Sequence, residues 1–246
     1  QPGQDAWLHV VGTTLTDGGG GGTDRERDID RLVEAARKVL EGGEPATAGR
    51  SVHGTVEAET VVRAAEVVCR LADRYPRDPA LLLVPMLRRL VLQPGEAMFV
   101  GPGVLHAYLG GMALEVMTPC DNVVRGGFTS KHVDTRALVD LLDTGKVPGV
   151  QRPVEGVHCY EVPVEDFAVW RIEGRHTLQV RTNPHARAGA PAGRRQGPEL
   201  VVAIVGKTIV GDDLVLAPGE AALVPVADGA YRISVDGIAH RVSVGG

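Results

Sequence analysis

Aromatic residues are scarce in this chain, with 3 Phe, 4 Tyr and 2 Trp among 246 residues. A packed interior must therefore be built mainly from Val, Leu and Ala. Cysteine is scarcer: Cys69, Cys120 and Cys159 stand far apart and in odd number. They form no C-x-x-C pair and no disulfide framework, which suits a reducing cytoplasm. Positive charge is in deficit, 26 Lys and Arg against 31 Asp and Glu, for a net charge of −5. That balance argues against a general binder of nucleic acid or of anionic membrane, while a local basic pocket stays open. No apolar run approaches the roughly 20 residues that span a bilayer, so the expectation is a soluble protein. An initiating Met is absent too; the chain opens on Gln1, with no targeting segment in view, and the expectation is that sequence upstream is missing or was removed.

What is present excludes wholesale disorder, since 43% of residues are hydrophobic and 23% charged. The 32 Gly and 16 Pro point to many turns. The first third reads as helical. Thr23 and Glu26 stand at capping-box spacing, and Ile29, Leu32, Val33, Ala36 and Leu40 follow at helical period up to Gly42-Gly43. A second helix is expected over about 55–75, with Val61, Ala65, Val68 and Ala72 on its apolar side. Asp78-Pro79 has the form of a cap and first-turn proline for a short helix through Leu83. The run 18–22 is all glycine and separates an apolar patch, 7–15, from these helices.

Near Leu87 the pattern changes to short apolar runs broken by Gly and Pro: 90–92, 97–100, 112–117, 157–162, 167–172, 200–205, 214–216, 221–224 and 231–235. Strands at this spacing suit a sandwich or jelly-roll barrel. One helix interrupts them, with Asp134 as its cap and Ala137, Leu138, Leu141 and Leu142 as its buried side. The sequence also repeats itself: Leu92-Gln93-Pro94-Gly95-Glu96-Ala97 resembles Leu216-Ala217-Pro218-Gly219-Glu220-Ala221, as expected of equivalent hairpins in two related β units. The fold class expected is mainly β with a helical domain. The domain reading is a helical part over 1–86, the C-terminal part of a catalytic barrel with one helix over 87–150, and a second β domain over 151–246.

The stretch 94–134 carries the chemistry. Gly95, then Pro102-Gly103-x-x-His106, resembles the second half of the metal-binding signature of cupin barrels, with the glycine one residue further away. A neutral imidazole there suits Zn²⁺ or another divalent transition metal. The wider order is Pro94-Gly95-Glu96-Ala97-Met98-Phe99, His106-Ala107-Tyr108-Leu109, then 121–131 reading DNVVRGGFTSK, then Asp134. It resembles type I mannose-6-phosphate isomerase, where an alanine commonly replaces Gly126 and a proline Ser130. A looser resemblance extends over most of the chain.

That resemblance implies cupin-type jelly-roll barrels, one of them incomplete here, and a zinc-dependent isomerase. Such an enzyme interconverts mannose 6-phosphate and fructose 6-phosphate through a cis-enediol. It implies His106 as a zinc ligand, Arg125 as the active-site arginine of an Arg-x-Gly motif, Lys131 as a lysine of the same cleft, and Tyr108 as a tyrosine near the metal. These residue types suit the task. Moving a proton between neighbouring sugar carbons builds negative charge on oxygen, which a metal or a guanidinium stabilises most in the transition state. Arg125 offers a bidentate fork, and Lys131 a compact charge for a phosphate oxygen. Asp121 is a candidate to orient Arg125. Glu115, alternating with apolar neighbours, is a reserve candidate to face the cavity. The plainer alternatives are a salt-bridged Arg125, a solvated Lys131, a core Tyr108, a turn-forming Asp121 and a His106 that only caps a turn. The Arg- and His-bearing stretch 171–195, rich in Gly, Pro and Ala, reads as a solvated loop.

The family's other zinc ligands, a Gln-x-His pair and a glutamate in a His-Lys-Pro-Glu context, have no counterpart in the sequence. The isomerase is therefore expected to be incomplete as this chain stands. The alternative is a non-catalytic cupin module that binds a phosphosugar, and a third reading is a scaffold for oligomer contacts. The partner expected is a small sugar phosphate, with no nucleic acid and no membrane, in the cytoplasm; oligomeric state is left open.

Overall fold

The structure is a computed structural model that describes residues 14–15, 22–42, 50–51, 54–55, 58–183 and 192–244. The apolar patch at 7–15 and the glycine run at 18–22 therefore fall largely outside the described residues. The chain divides into two compact units. One comprises Gln1–Leu90, Val100–Met112 and Asp121–Val147; the other comprises Val91–Phe99, Ala113–Cys120 and Pro148–Gly246. Among the described residues no helix is long and apolar enough to cross a membrane.

The first unit is helical. Helix α1 (Gly22–Leu40) and α2 (Ala58–Arg74) flank a minimal hairpin, β1 (Arg50–Ser51) with β2 (Gly54–Thr55). The helical periodicity holds for Ile29, Ala36, Ala65, Val68 and Ala72, which are buried, but Leu40 at the end of α1 is 43% exposed. A 3₁₀ segment, Pro79–Met86, follows, capped by the Asp78 carboxylate, which accepts from the Ala80 N–H at 2.9 Å. Its composition is apolar throughout, and Ala80, Leu81, Leu83 and Val84 are all buried. The last helix, α3 (Thr135–Leu141), is capped by Asp134 as expected. Leu138 and Leu142 are buried there, but Leu141 is 58% exposed rather than part of the buried side. The helix ends at Leu141 and the backbone turns extended at Leu142, so the helical period no longer governs where Leu142 points.

The second unit is β. Strands β3 (Ala97–Met98) and β4 (Val150–Gln151) pair with each other. The remaining strands are β5 (Val157–Cys159), β6 (Phe167–Thr182), β7 (Arg194–Arg195), β8 (Glu199–Val210), β9 (Leu214–Leu216), β10 (Ala221–Val224) and β11 (Tyr231–Val244). They form one sheet in the order β10-β8-β11-β6-β5, with β7 beside β6 and β9 beside β8. Its centre is β11, which pairs with β6 along its full length, from Tyr231↔Val180 to Val244↔Phe167. At one level three glycines face each other, with Gly237 opposite both Gly174 and Gly206. All three have positive φ, and a Cβ on Gly206 or Gly237 would overlap the neighbouring strand's backbone. That row lets three strands bend together, which a sheet must do to curl over its own core.

Two expectations fail here for physical reasons. Residues 90–92 and 112–117 form no strand, and of 97–100 only Ala97–Met98 does. Apolar alternation selects a pleated, half-buried surface, but a strand also needs a partner, and among the described residues none pairs with 112–117; Met112 is wholly exposed. Within the stretch 171–195, residues 171–182 are not a solvated loop but belong to β6, and Arg171 and Arg195 are buried, while 184–191 lie outside the described residues. Long antiparallel pairing outweighs the local loop composition there. The guanidiniums find partners inside the fold, although the Nε atoms of Arg171 and Arg195 have none among the described residues. Arg195 donates to the carbonyls of Val224 and Gly229 and lies 5.0 Å from the centre of the Tyr231 ring. Arg241, fully buried, pairs with the fully buried Glu199 and stacks 4.4 Å over Trp170. Burial, then the Glu199 carboxylate, push the Tyr231 phenol upward.

His158, Arg171 and His240 lie opposite one another across β5, β6 and β11 and so share a face. Burial and then the Arg171 charge lower the His240 pKa from 6.5, with the Trp170 backbone acting in the opposite sense. A histidine held neutral in the fold binds its proton more readily unfolded, so its contribution to stability is present above about pH 6.5 and is lost as pH falls towards the folded value. Urea unfolding between pH 5 and 7.5 is expected to show a shallower acid-side loss of stability in His240→Gln than in the wild type; equal slopes would contradict it.

Candidate functional site

The segment that leads to the site starts at a turn. The Glu96 N–H donates to the Gln93 carbonyl at 2.9 Å, and the Glu96 side chain accepts from the Gln93 N–H at 2.9 Å. The second copy repeats this geometry: the Glu220 N–H donates to Ala217 O at 2.9 Å, and the Glu220 side chain accepts from the Ala217 N–H at 2.8 Å. The internal echo is thus a repeat of a hydrogen-bonded turn, not only of letters. The Gln93 amide, and after it Arg152, hold the Glu96 carboxyl below its usual range.

The Pro102-Gly103 turn is fastened to the end of α3, where the Asp143 N–H donates to Gly103 O at 2.9 Å. From Gly103 the chain runs through Leu105, His106, Tyr108 and Leu109 without forming a strand. Leu105 packs on the core of Leu83, Leu138 and Leu142, and Leu109 on the α1–α2 core. Between them His106 is exposed. Its Nδ1 lies 2.9 Å from the carbonyl two residues back, Val104 O. With the proton on Nδ1, Nε2 keeps its lone pair, the state a metal-binding imidazole needs. Tyr108, 67% exposed and so not a core residue, meets the His106 ring edge-on at 5.8 Å.

Arg125 is held in a similar way. Val124 packs into the cluster that takes Leu105, and Phe128 into the clusters formed by α1, α2 and the 3₁₀ segment. Arg125 between them is half-buried, and among the described residues its guanidinium has no hydrogen bond or ion pair. A Cβ on Gly126 would lie 2.7 Å from Leu105 Cδ1, so the His106 and Arg125 segments touch through their neighbours. Phe128 has a left-handed backbone, φ 51°, and its N–H donates to Asp78 Oδ2 at 2.8 Å.

The other expectations fare unevenly. Lys131 is exposed, its backbone N–H donating to Thr129 Oγ1 at 3.1 Å, and no contact with Arg125 or His106 is seen among the described residues. Asp121 does not orient Arg125: it is exposed, and the two form no ion pair among the described residues. Glu115 is exposed on a segment with no strand to aim it. A cavity of about 370 Å³ lies among strand ends of the β unit, lined by Gln179, Asp212, Asp228 and Tyr231, and includes none of the expected site residues. As for zinc, His106 has the right tautomer for one ligand, but no group of three His, Cys, Asp or Glu able to hold a metal occurs among the described residues. These residues alone do not make a tight zinc site.

No protein-family model matches the chain. Curated relatives do. It is 41% identical over 111 residues to a probable mannose-6-phosphate isomerase of Dictyostelium discoideum, a match covering 42% of this chain and 25% of that protein. It is 32% identical over 180 residues to the mannose-6-phosphate isomerase of Salmonella typhimurium, covering 70% of this chain and 43% of that one. Among solved structures, the Salmonella typhimurium enzyme bound to its substrate fructose 6-phosphate and to zinc matches with a TM-score of 0.72 and 25% identity, over 99% of this chain and 55% of that one. A zinc-bound mannose 6-phosphate isomerase superposes equally well, TM-score 0.72, at 24% identity. The chain thus spans less than half the length of these curated relatives and about half that of the solved structures.

The two glycines after Arg125 are expected to respond differently to alanine. Gly127 has φ 136° and a Cβ there would overlap Ala80, a fixed neighbour, so Gly127→Ala should lose about 1–3 kcal/mol from backbone strain alone. A Cβ on Gly126 meets only the end of a flexible Leu105, and Gly126→Ala should cost under about 1 kcal/mol. Thermal unfolding of both variants checks this; equal losses would contradict it.

Proposed function

The chain belongs to the mannose-6-phosphate isomerase family, and from that premise we propose that it serves the interconversion of mannose 6-phosphate and fructose 6-phosphate, with Arg125 meeting the substrate's negative charge. The observation that carries this is the half-buried Arg125 guanidinium, without a protein counter-charge among the described residues and on a loop fastened at Val124 and Phe128. A guanidinium taken partly out of water favours an anion that can supply charge-assisted hydrogen bonds. Such an anion is a phosphate or an enediolate oxygen.

The reaction moves one proton from C2 of the aldose to C1 and shifts a hydroxyl proton between the oxygens, so no outside oxidant or reductant is needed. Between these transfers the sugar is an enediol or enediolate, whose oxygen is more negative than in either sugar. A fixed Arg125 at that oxygen lowers the barrier because its hydrogen bonds strengthen as charge develops. Lys131 is the residue for a phosphate oxygen, held as a point charge. Tyr108 buttresses the His106 ring edge-on. Zinc, present in solved relatives, would take His106 Nε2 as one ligand and would act as a Lewis acid, although the described residues offer no further ligand cluster for it. A charged substrate and three free cysteines agree with a reducing cytoplasm.

The missing ligand cluster among the described residues favours a second reading, a module that binds a phosphosugar without turning it over. One experiment separates the two: formation of fructose 6-phosphate from mannose 6-phosphate with zinc supplied, alongside calorimetric binding of fructose 6-phosphate. Turnover would support the isomerase, with kcat/KM falling about 10²–10³-fold in Arg125→Ala. Binding without turnover would replace the isomerase by the module. Wild-type binding and turnover in Arg125→Ala would remove both.

A further inference from the structure

Asp78 lies 47 positions before Arg125 and on a different element, yet its two carboxylate oxygens serve two separate tasks. Oδ1 accepts from the Ala80 N–H at 2.9 Å and caps the 3₁₀ segment; Oδ2 accepts from the Phe128 N–H at 2.8 Å. Asp78 itself is fixed by its backbone: its N–H donates to Tyr75 O at 3.3 Å, and its carbonyl accepts from Leu81 N–H at 3.0 Å. On the loop side, Gly127 sits so close that a Cβ would overlap Ala80 and lie 3.1 Å from Asp78 Oδ1. The Phe128 ring lies 5.7 Å from that of Tyr75. The left-handed turn at Phe128 is thereby held at a site where a non-glycine residue would otherwise resist it.

We propose that Asp78 is a positioning residue for Arg125: its second carboxylate oxygen pins the Phe128 amide and so fixes the Arg125-Gly126-Gly127-Phe128 loop, and with it the direction of the guanidinium. The inference rests on the reading of Arg125 as the anion-binding group. An ionised acceptor makes a shorter and stronger bond to an N–H than a neutral one, and a carboxylate turns a separate acceptor oxygen to each of two donors where an amide or hydroxyl has a single one. Fixing the loop before substrate arrives spares the ordering that binding would otherwise require.

Two substitutions isolate the pinning oxygen. Asp78→Asn keeps one acceptor for the Ala80 N–H but presents an NH₂ to Phe128, and Asp78→Ser keeps the cap while being too short to reach Phe128. For each, three quantities are read: thermal midpoint, amide exchange at Gly127 and Phe128, and fructose 6-phosphate affinity. Both variants are expected to stay folded with a small change in midpoint, to exchange the Phe128 amide at least about tenfold faster, and to bind fructose 6-phosphate about 5- to 50-fold more weakly. In an Arg125→Ala background Asp78→Asn should produce no further loss of affinity, because it acts through Arg125. A purely structural role would instead lower the midpoint and weaken binding equally in both backgrounds. Wild-type affinity in Asp78→Asn and Asp78→Ser, with affinity lost in Arg125→Ala, would overturn the positioning role alone. Unchanged affinity in Arg125→Ala would overturn the reading of Arg125 beneath it.

Discussion

A segment with almost no strand partners keeps its shape only if some of its side chains are buried in something else. That constraint governs 103–109 and 124–128. Leu105 and Leu109 flank His106, Val124 and Phe128 flank Arg125, and all four apolar side chains pack into clusters of the helical unit. The polar residues between them are left facing away with their reactive atoms accessible. Full burial of an apolar side chain contributes about 1.5–3 kcal/mol, and these four are buried in part. Two anchors on each segment thus offset part of the entropy of ordering the stretch, which is about 1–2 kcal/mol per residue. The Asp78 bond to Phe128 and the Asp143 bond to Gly103 add backbone fixation at the two ends.

The β unit solves a different problem. Its interior is small aliphatic, as a chain poor in aromatics requires, with Ile172, Val201, Ala203 and Ile233 wholly buried. Within it sit Arg195, Glu199 and Arg241, each buried and each with partners. A buried pair such as Arg241–Glu199 is weak evidence for added stability, but removing one partner leaves an uncompensated charge, which costs about 3–5 kcal/mol. The arginines also reach carbonyls of Ala192, Arg194, Val224 and Gly229, so they tie the connections between strands to the sheet.

The sequence was most legible where one local rule sufficed. Helical period located α1 and α2, and Asp78 and Asp134 were readable as caps because a cap involves residues two or three apart. The Pro-Gly repeat was legible as a repeated turn but not as two hairpins, because β3 pairs with β4, and β9 and β10 each pair with β8 rather than with each other. What escaped depends on distant partners. Residues 112–117 look like a strand by composition, yet pairing is decided elsewhere in the chain. Residues 171–180 look like a loop by their charges, yet β11 supplies a partner for every position. The candidates Arg125, His106, Lys131 and Tyr108 came from a family resemblance rather than from periodicity. The bond from Asp78 to Phe128 spans 50 positions and leaves no periodic trace in the sequence.

The account stands on Arg125 being held ready for an anion. A crystal structure of this chain grown with fructose 6-phosphate and zinc tests that most directly. It should show an anionic oxygen of the ligand within about 3 Å of the Arg125 guanidinium, and the 125–128 backbone in the conformation described here, still bonded to Asp78. A ligand bound away from Arg125, or a loop rebuilt to reach it, would contradict the account.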